Sequence, residues 1–182
     1  TRLYGGGYVY SGTNQISGDI NLTIAGANVD RVCGVSHVTS AVSGDVNVRM
    51  TGGGVYSLIG GGGGTCAISG NINLTMTGGT AAQVFGANEG ASYTGNVTVR
   101  LQGGTITRRF FGGCYNNFTG VFASENHVTG NVNVYIYEDM NFAWNTSEND
   151  AGFYAHSRYN PLFDDEVTNI YYISAAAQTK QE

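Results

Sequence analysis

One nine-residue phrase recurs along this chain, and it constrains the fold more than any other feature of the sequence. Val42-Ser43-Gly44-Asp45-Val46-Asn47-Val48-Arg49-Met50 has four further copies, beginning at Ile16, Ile68, Tyr93 and Val128. Each copy reads apolar, Ser or Thr, Gly, Asp or Asn, and then strict apolar/polar alternation. The shared glycines Gly18, Gly44, Gly70 and Gly95 are spaced by 26, 26 and 25 residues, and Gly130 follows after 35. A second landmark keeps the same beat: Cys33, Ile59, Phe85 and Phe111 lie 26 apart, and each precedes a glycine. Two landmarks at a constant offset predict a stack of equivalent units.

Period-two alternation marks a half-buried strand. A strand this short cannot bury its apolar face alone, so equivalent strands of successive units must stack in parallel. The expectation is an all-β fold, a right-handed parallel β-helix (β-solenoid) with about 26 residues per coil, the hand following from crossover chirality. Coils start near residues 16, 42, 68, 93 and 128, and the solenoid covers residues 1–137. Its interior columns are Ile20/Val46/Ile72/Val97/Val132, Leu22/Val48/Leu74/Val99/Val134 and Ile24/Met50/Met76/Leu101/Ile136. Each unit reads as three short segments divided by glycine turns. The long step to Gly130 is assigned to a loop inserted at 118–127, and such insertions often carry binding residues.

Composition agrees with this reading. Twenty-nine Gly, one Pro, twelve Tyr and 12% charged residues suit tight turns and strands, and they disfavour long helices. Beyond Tyr137 the pattern changes, and Gly152 is the last glycine. Residues 138–182 carry eight acidic and two basic side chains, against five acidic and six basic before them. An open strand edge invites pairing with another chain, so 138–182 is expected to form a C-terminal cap with a final strand over 167–173. No basic stripe exists to bind nucleic acid. No apolar run reaches 18 residues, so no membrane insertion is expected. Leu3-Tyr4-Gly5-Gly6 reads as the middle of a repeat, which predicts flanking domains of a longer chain. Cys33, Cys66 and Cys114 lack the paired spacing of a metal site. They read as small buried hydrophobes, with one disulfide among them open and its pairing unassigned.

The repeated [Val/Ile]-[Ser/Thr]-Gly-[Asp/Asn]-[Val/Ile]-Asn-[Val/Leu] and the glycine pairs after it resemble Gly-rich β-helix repeat regions of large bacterial cell-surface proteins. These include adhesin-type proteins of gut bacteria and, more distantly, passenger segments of self-associating autotransporter adhesins. The resemblance covers residues 1–137. It implies an exported, extracellular module displayed on the cell surface.

Several residues are candidates for chemistry. The outward column Asn21, Asn47, Asn73, Thr98 and Asn133, flanked by Thr23, Arg49, Thr75, Arg100 and Tyr135, reads in two ways. Stacked amides can bond one another as a ladder, or the column can offer a polar groove to sugar hydroxyls, with Arg49 and Arg100 meeting carboxylates or sulfates. Asp19 and Asp45 recur at one position, where they either make the turn or share a calcium ion (Ca2+). Tyr115 and Phe118 beside the inserted loop, with Trp144 and Tyr159 in the cap, form either a sugar-stacking platform or a hydrophobic plug. Gly60 to Gly64 lacks the Lys-Ser/Thr of a phosphate loop. A glycosidase needs two placed carboxylates, whereas Asp164, Asp165 and Glu166 read as a solvated acidic run. The function expected is therefore a non-catalytic, surface-displayed module that binds a glycan or a host or microbial surface protein, or serves as a rigid spacer. The alternative is a carbohydrate-active β-helix enzyme, a polysaccharide lyase or glycoside hydrolase, or its substrate-binding part.

Overall fold

The computed structural model describes residues 1–7, 14–37, 40–115, 126–144, 151–157 and 166–174. They are all-β, and no described residue is helical. The strands in chain order are β1 (Arg2–Tyr4), β2 (Asn14–Ile16), β3 (Ile20–Cys33), β4 (Ser40–Val42), β5 (Val46–Ile59), β6 (Cys66–Ile68), β7 (Ile72–Phe85), β8 (Tyr93–Thr94), β9 (Val97–Phe111), β10 (Val128–Tyr137), β11 (Met140–Phe142), β12 (Gly152–Tyr154) and β13 (Glu166–Ile173). The main sheet runs β1-β3-β5-β7-β9-β10-β13, with β11 and β12 also on β9 and β8 on β10; β2-β4-β6 form a second sheet. Each of these pairs is parallel.

Register follows the repeat. Val46 pairs with Ile20 and Ile72, Ile72 with Val97, and Val97 with Val132. The three expected columns are thereby superposed, and all their members except the half-buried Leu22 are buried. Burying one such side chain contributes about 1.5–3 kcal/mol, so the in-register column is a large share of the stabilising term.

In one respect the local structure differs from expectation. The first two segments of each unit are not separate strands, because β3, β5, β7 and β9 run on through the glycines for 14 or 15 residues. Pairing continues across the corner through register shifts after Ile24 and Met76. The backbone there takes positive φ at Gly53, Gly79 and Gly104 (85°, 86° and 98°), a region glycine enters without the steric penalty of a side chain.

Past the corner the chain buries both faces. Val32, Leu58, Val84 and Phe110 join the main core, while Cys33, Ile59, Phe85 and Phe111 pack on the opposite side with Tyr115. These columns end in tight turns. The N–H groups of Gly34, Gly60 and Gly86 each donate to the carbonyl of the landmark residue one unit on, Ile59, Phe85 and Phe111, at 2.9 Å. A β-carbon on Gly86 would collide with the Gly112 carbonyl, which explains why this column is glycine.

The C-terminal segment, expected as a cap, contributes three strands to the same parallel scheme. β11 and β12 lie on the two ends of the second half of β9, and β13 pairs along β10 from Gly130 to Tyr137. Thr168, Ile170 and Tyr172 thus take the places of Val132, Val134 and Ile136 one strand further on. Glu166, expected in a solvated run, is buried instead. Its carboxylate accepts the N–H groups of Ser157 (2.7 Å) and Val128 (3.0 Å), tying β13 to the segments before it. Asp164, Asp165 and residues 118–125 of the expected inserted loop lie outside the described residues.

Candidate functional site

The outer face of the first segments is built by alternation alone. Since Ile20, Leu22 and Ile24 point inward, Asn21 and Thr23 point outward, and each later unit repeats the choice. Stacked strands lie roughly 4.8 Å apart, a spacing that lets one Asn amide reach the next. Asn47 Nδ2 donates to Asn21 Oδ1 at 3.0 Å, and Asn73 Nδ2 donates to Asn47 Oδ1 at 2.9 Å. Thr98 interrupts the column, which resumes where Asn169 Nδ2 donates to Asn133 Oδ1 at 3.0 Å. The amide ladder expected from the sequence is therefore present, and Asn169 is a member the sequence reading left out. Its signal was weak: in Val167-Thr168-Asn169-Ile170 only Asn169-Ile170 matches the Asn-Val step of the earlier copies, Thr168 takes an apolar place and the Gly-Asn preface is missing.

Beside the ladder runs Thr23, Arg49, Thr75, Arg100, Tyr135 and Tyr171 in register. Arg49 is exposed between two threonines. The Arg100 guanidinium carbon lies 5.1 Å from the centroid of the Tyr135 ring, and Tyr135 stacks on Tyr171 at 4.6 Å with the rings 13° from parallel. Arg49 and Arg100 are two strand spacings apart, roughly 10 Å. The face thus offers amides, two guanidinium groups and a stacked tyrosine pair on one rigid surface.

Asp19 and Asp45 do recur at one position, and their geometry is that of a capping ladder. Asp19 Oδ1 accepts the Asp45 N–H at 2.8 Å, and Asp45 Oδ1 accepts the Asn71 N–H at 2.7 Å and its Nδ2 at 3.3 Å. Asn96 Oδ1 does the same for Asn131, from N–H at 3.2 Å and Nδ2 at 3.1 Å. Among the described residues no three His, Cys, Asp or Glu side chains converge as metal ligands.

The aromatic candidates fall in different places. Tyr115 is 1% exposed, so it belongs to the interior and not to a surface platform. Its ring stacks on Phe85 at 4.3 Å, tilts against Phe111 at 5.1 Å and lies 5.3 Å from the Arg109 guanidinium carbon. Trp144 is half-buried and stacks on Phe142 at 5.1 Å, which meets Phe153 edge-on at 5.5 Å. Phe118 and Tyr159 lie outside the described residues.

A buried polar column escaped the sequence reading. Arg31, Ser57, Gln83 and Arg109 are in register one residue before the apolar column. Because this face is covered, each polar group needs a partner. Gln83 Nε2 donates to Ser57 Oγ at 2.5 Å, Arg109 donates to the Tyr115 hydroxyl, and Arg31 pairs with Glu89. The spacing 31, 57, 83 and 109 was visible, but the residue types differ at every step, and that hid the column. Burial pushes the Glu89 carboxyl up, against the pull of Arg31. The three thiols are free and buried, and burial raises those of Cys33 and Cys114 to about 12, which leaves them unreactive at neutral pH.

No protein-family model, curated protein or solved structure matches this chain.

Proposed function

We propose that the parallel stack closes into a right-handed β-solenoid and serves as a non-catalytic, surface-displayed module of an exported protein, binding glycans along its outer amide face. The single observation that carries this reading is the row of Asn21, Asn47, Asn73, Asn133 and Asn169 flanked by Arg49, Arg100, Tyr135 and Tyr171. Three features of that row support it. Amides both donate and accept, which suits sugar hydroxyls; guanidinium groups take carboxylates or sulfates in a bidentate grip; aromatic faces cover the apolar faces of pyranose rings. Rigidity supports it too, since parallel backbone pairing and the amide bonds fix these side chains before any ligand arrives, which lowers the ordering cost of binding.

The test is a glycan array that includes uronate-bearing and sulfated chains, followed by calorimetry on any hit. Binding that weakens about tenfold or more in Arg100→Ala and in Tyr171→Ala supports the reading. A chain that binds nothing on the array overturns the glycan reading in favour of a protein ligand or a spacer, and one that shortens an acidic polysaccharide in calcium-containing buffer is the enzyme.

A further inference from the structure

The chain is acidic overall, with a formal charge of -5, yet its outward amide face is not. No residue in the two columns of that face is acidic, and their charged members, Arg49 and Arg100, are both arginines. Asp45 lies four residues before Arg49, roughly 13 Å along the strand, and its carboxylate is engaged by Asn71. Arg31, Arg108 and Arg109 are taken up by Glu89, Tyr56 and Tyr115. Among the described residues, by contrast, neither Arg49 nor Arg100 has a hydrogen-bond or ion-pair partner.

Arg100 is also held in place. Tyr135 lies between Arg100 and Tyr171 in register, so its ring has the guanidinium on one side and the Tyr171 ring on the other. A guanidinium laid over a ring keeps its N–H groups at the rim, where they take a carboxylate or sulfate in a two-pronged grip. Tyr135 is thus a positioning residue for Arg100.

The spacing of the two cations narrows the ligand further than their charge does. Arg49 stands on β5 and Arg100 on β9 with Thr75 of β7 between them, so their backbone places are two strand spacings apart, roughly 10 Å. One strand spacing, roughly 5 Å, is also about the length of one pyranose in an extended β-linked chain. A glycan laid along the stack therefore brings every second sugar to an arginine. The sugar between meets the Thr75 hydroxyl and the Asn73 amide, which suit neutral hydroxyl groups. A carboxylate on that middle sugar would lie over Thr75, where no cation stands to meet it.

We infer that the ligand of this face is a linear acidic polysaccharide with one carboxylate or sulfate per disaccharide, lying along the stack with successive anionic groups on Arg49 and Arg100. The inference rests on the glycan-binding reading above and adds to it the charge pattern and the direction of the bound chain.

Calorimetry of the whole chain against four hexasaccharides tests it. A hyaluronan fragment carries a carboxylate on alternate sugars, a keratan sulfate fragment a sulfate on alternate sugars, an oligomannuronate a carboxylate on every sugar, and chitohexaose no charge. The better of the two alternating fragments is expected to bind about tenfold or more tighter than chitohexaose and about threefold or more tighter than the oligomannuronate. It should lose about tenfold in Arg49→Gln and in Arg100→Gln, and the order of the two fragments tells carboxylate from sulfate. Arg49→Thr combined with Thr75→Arg puts the guanidinium groups on adjacent strands and should turn the preference to the oligomannuronate. Both places lie on the outer face, so circular dichroism should stay as in the parent. Equal binding of chitohexaose overturns the inference and leaves the glycan reading standing, as does a preference for the oligomannuronate in the parent chain or one that the exchange does not move. Equal affinity for a hexaglutamate peptide overturns it too, since charge alone would then suffice. Binding of none of the four also overturns it, and the glycan reading falls with it only when the array is empty as well.

Discussion

The first and second halves of each long strand share one backbone and one repeat, yet they solve opposite problems. From 46 to 50 and its equivalents one face meets the core and the other meets solvent, so the outer residues need only agree with one another, and Asn recurs. From 57 to 59 and its equivalents both faces are covered, so each outer residue must match its own surroundings. Ser57 answers to Gln83, Arg31 to Glu89, and Arg109 to Tyr115. The amide column of the exposed face is nearly uniform, and the polar column of the enclosed face varies at every step.

This contrast can be broken by substitution. The largest loss is expected from Phe85→Ala, which removes a fully buried ring stacked on Tyr115; urea titration should show about 3–5 kcal/mol. Next comes Glu89→Gln, which leaves the Arg31 charge enclosed without its counter-ion and should cost about 2–3 kcal/mol, with Arg31→Met/Glu89→Met together recovering most of it. On the open face, Asn73→Ala removes one half-buried amide bond and should cost only about 0.5–1.5 kcal/mol. A loss at Asn73 as large as that at Phe85 would mean the two faces do not differ as described.

The smallest effect is one of pH and sharpens the enclosed side further. Burial, and then the charges of Arg31 and Arg2, lower the pKa of His37 below its ordinary 6.5. The unfolded chain therefore takes up this proton at a higher pH than the folded one, so the contribution is present above 6.5 and is lost as pH falls through 6.5 toward the lowered value. Thermal melts from about pH 7.5 down to about pH 5 should show a modest drop in Tm that His37→Gln flattens.

Much of the fold was legible because the exposed half is periodic. Val46, Ile72 and Val97 announce the parallel register, and Asn47 and Asn73 announce the ladder. The second half was legible only on its apolar column, since Arg31, Ser57, Gln83 and Arg109 share a position and no chemistry. Tyr115 reads from the sequence as either a platform or a plug because it adjoins the expected loop, and Phe111 in its own unit and Phe85 one unit back enclose it as the plug. Asn169 was missed for a different reason. The strand that carries it breaks the alternation at Val167 and Thr168 and lacks the glycine of the repeat, so it follows a buried Glu where its predecessors follow a turn.

The Asp and Asn caps between units all point one way, each residue handing its N–H back to the oxygen of the one before. Such a chain of bonds has a sense, as a zipper has: each side-chain oxygen faces an N–H of its successor, so a carboxylate, which can only accept, serves that place as an amide oxygen does. Asp19 and Asp45 take the first two places among the described units, Asn71, Asn96 and Asn131, whose amides also reach back to their predecessors, take the next three, and Val167 follows on β13. The switch from acid to amide along the column is thus the grain of the molecule written in its titratable groups.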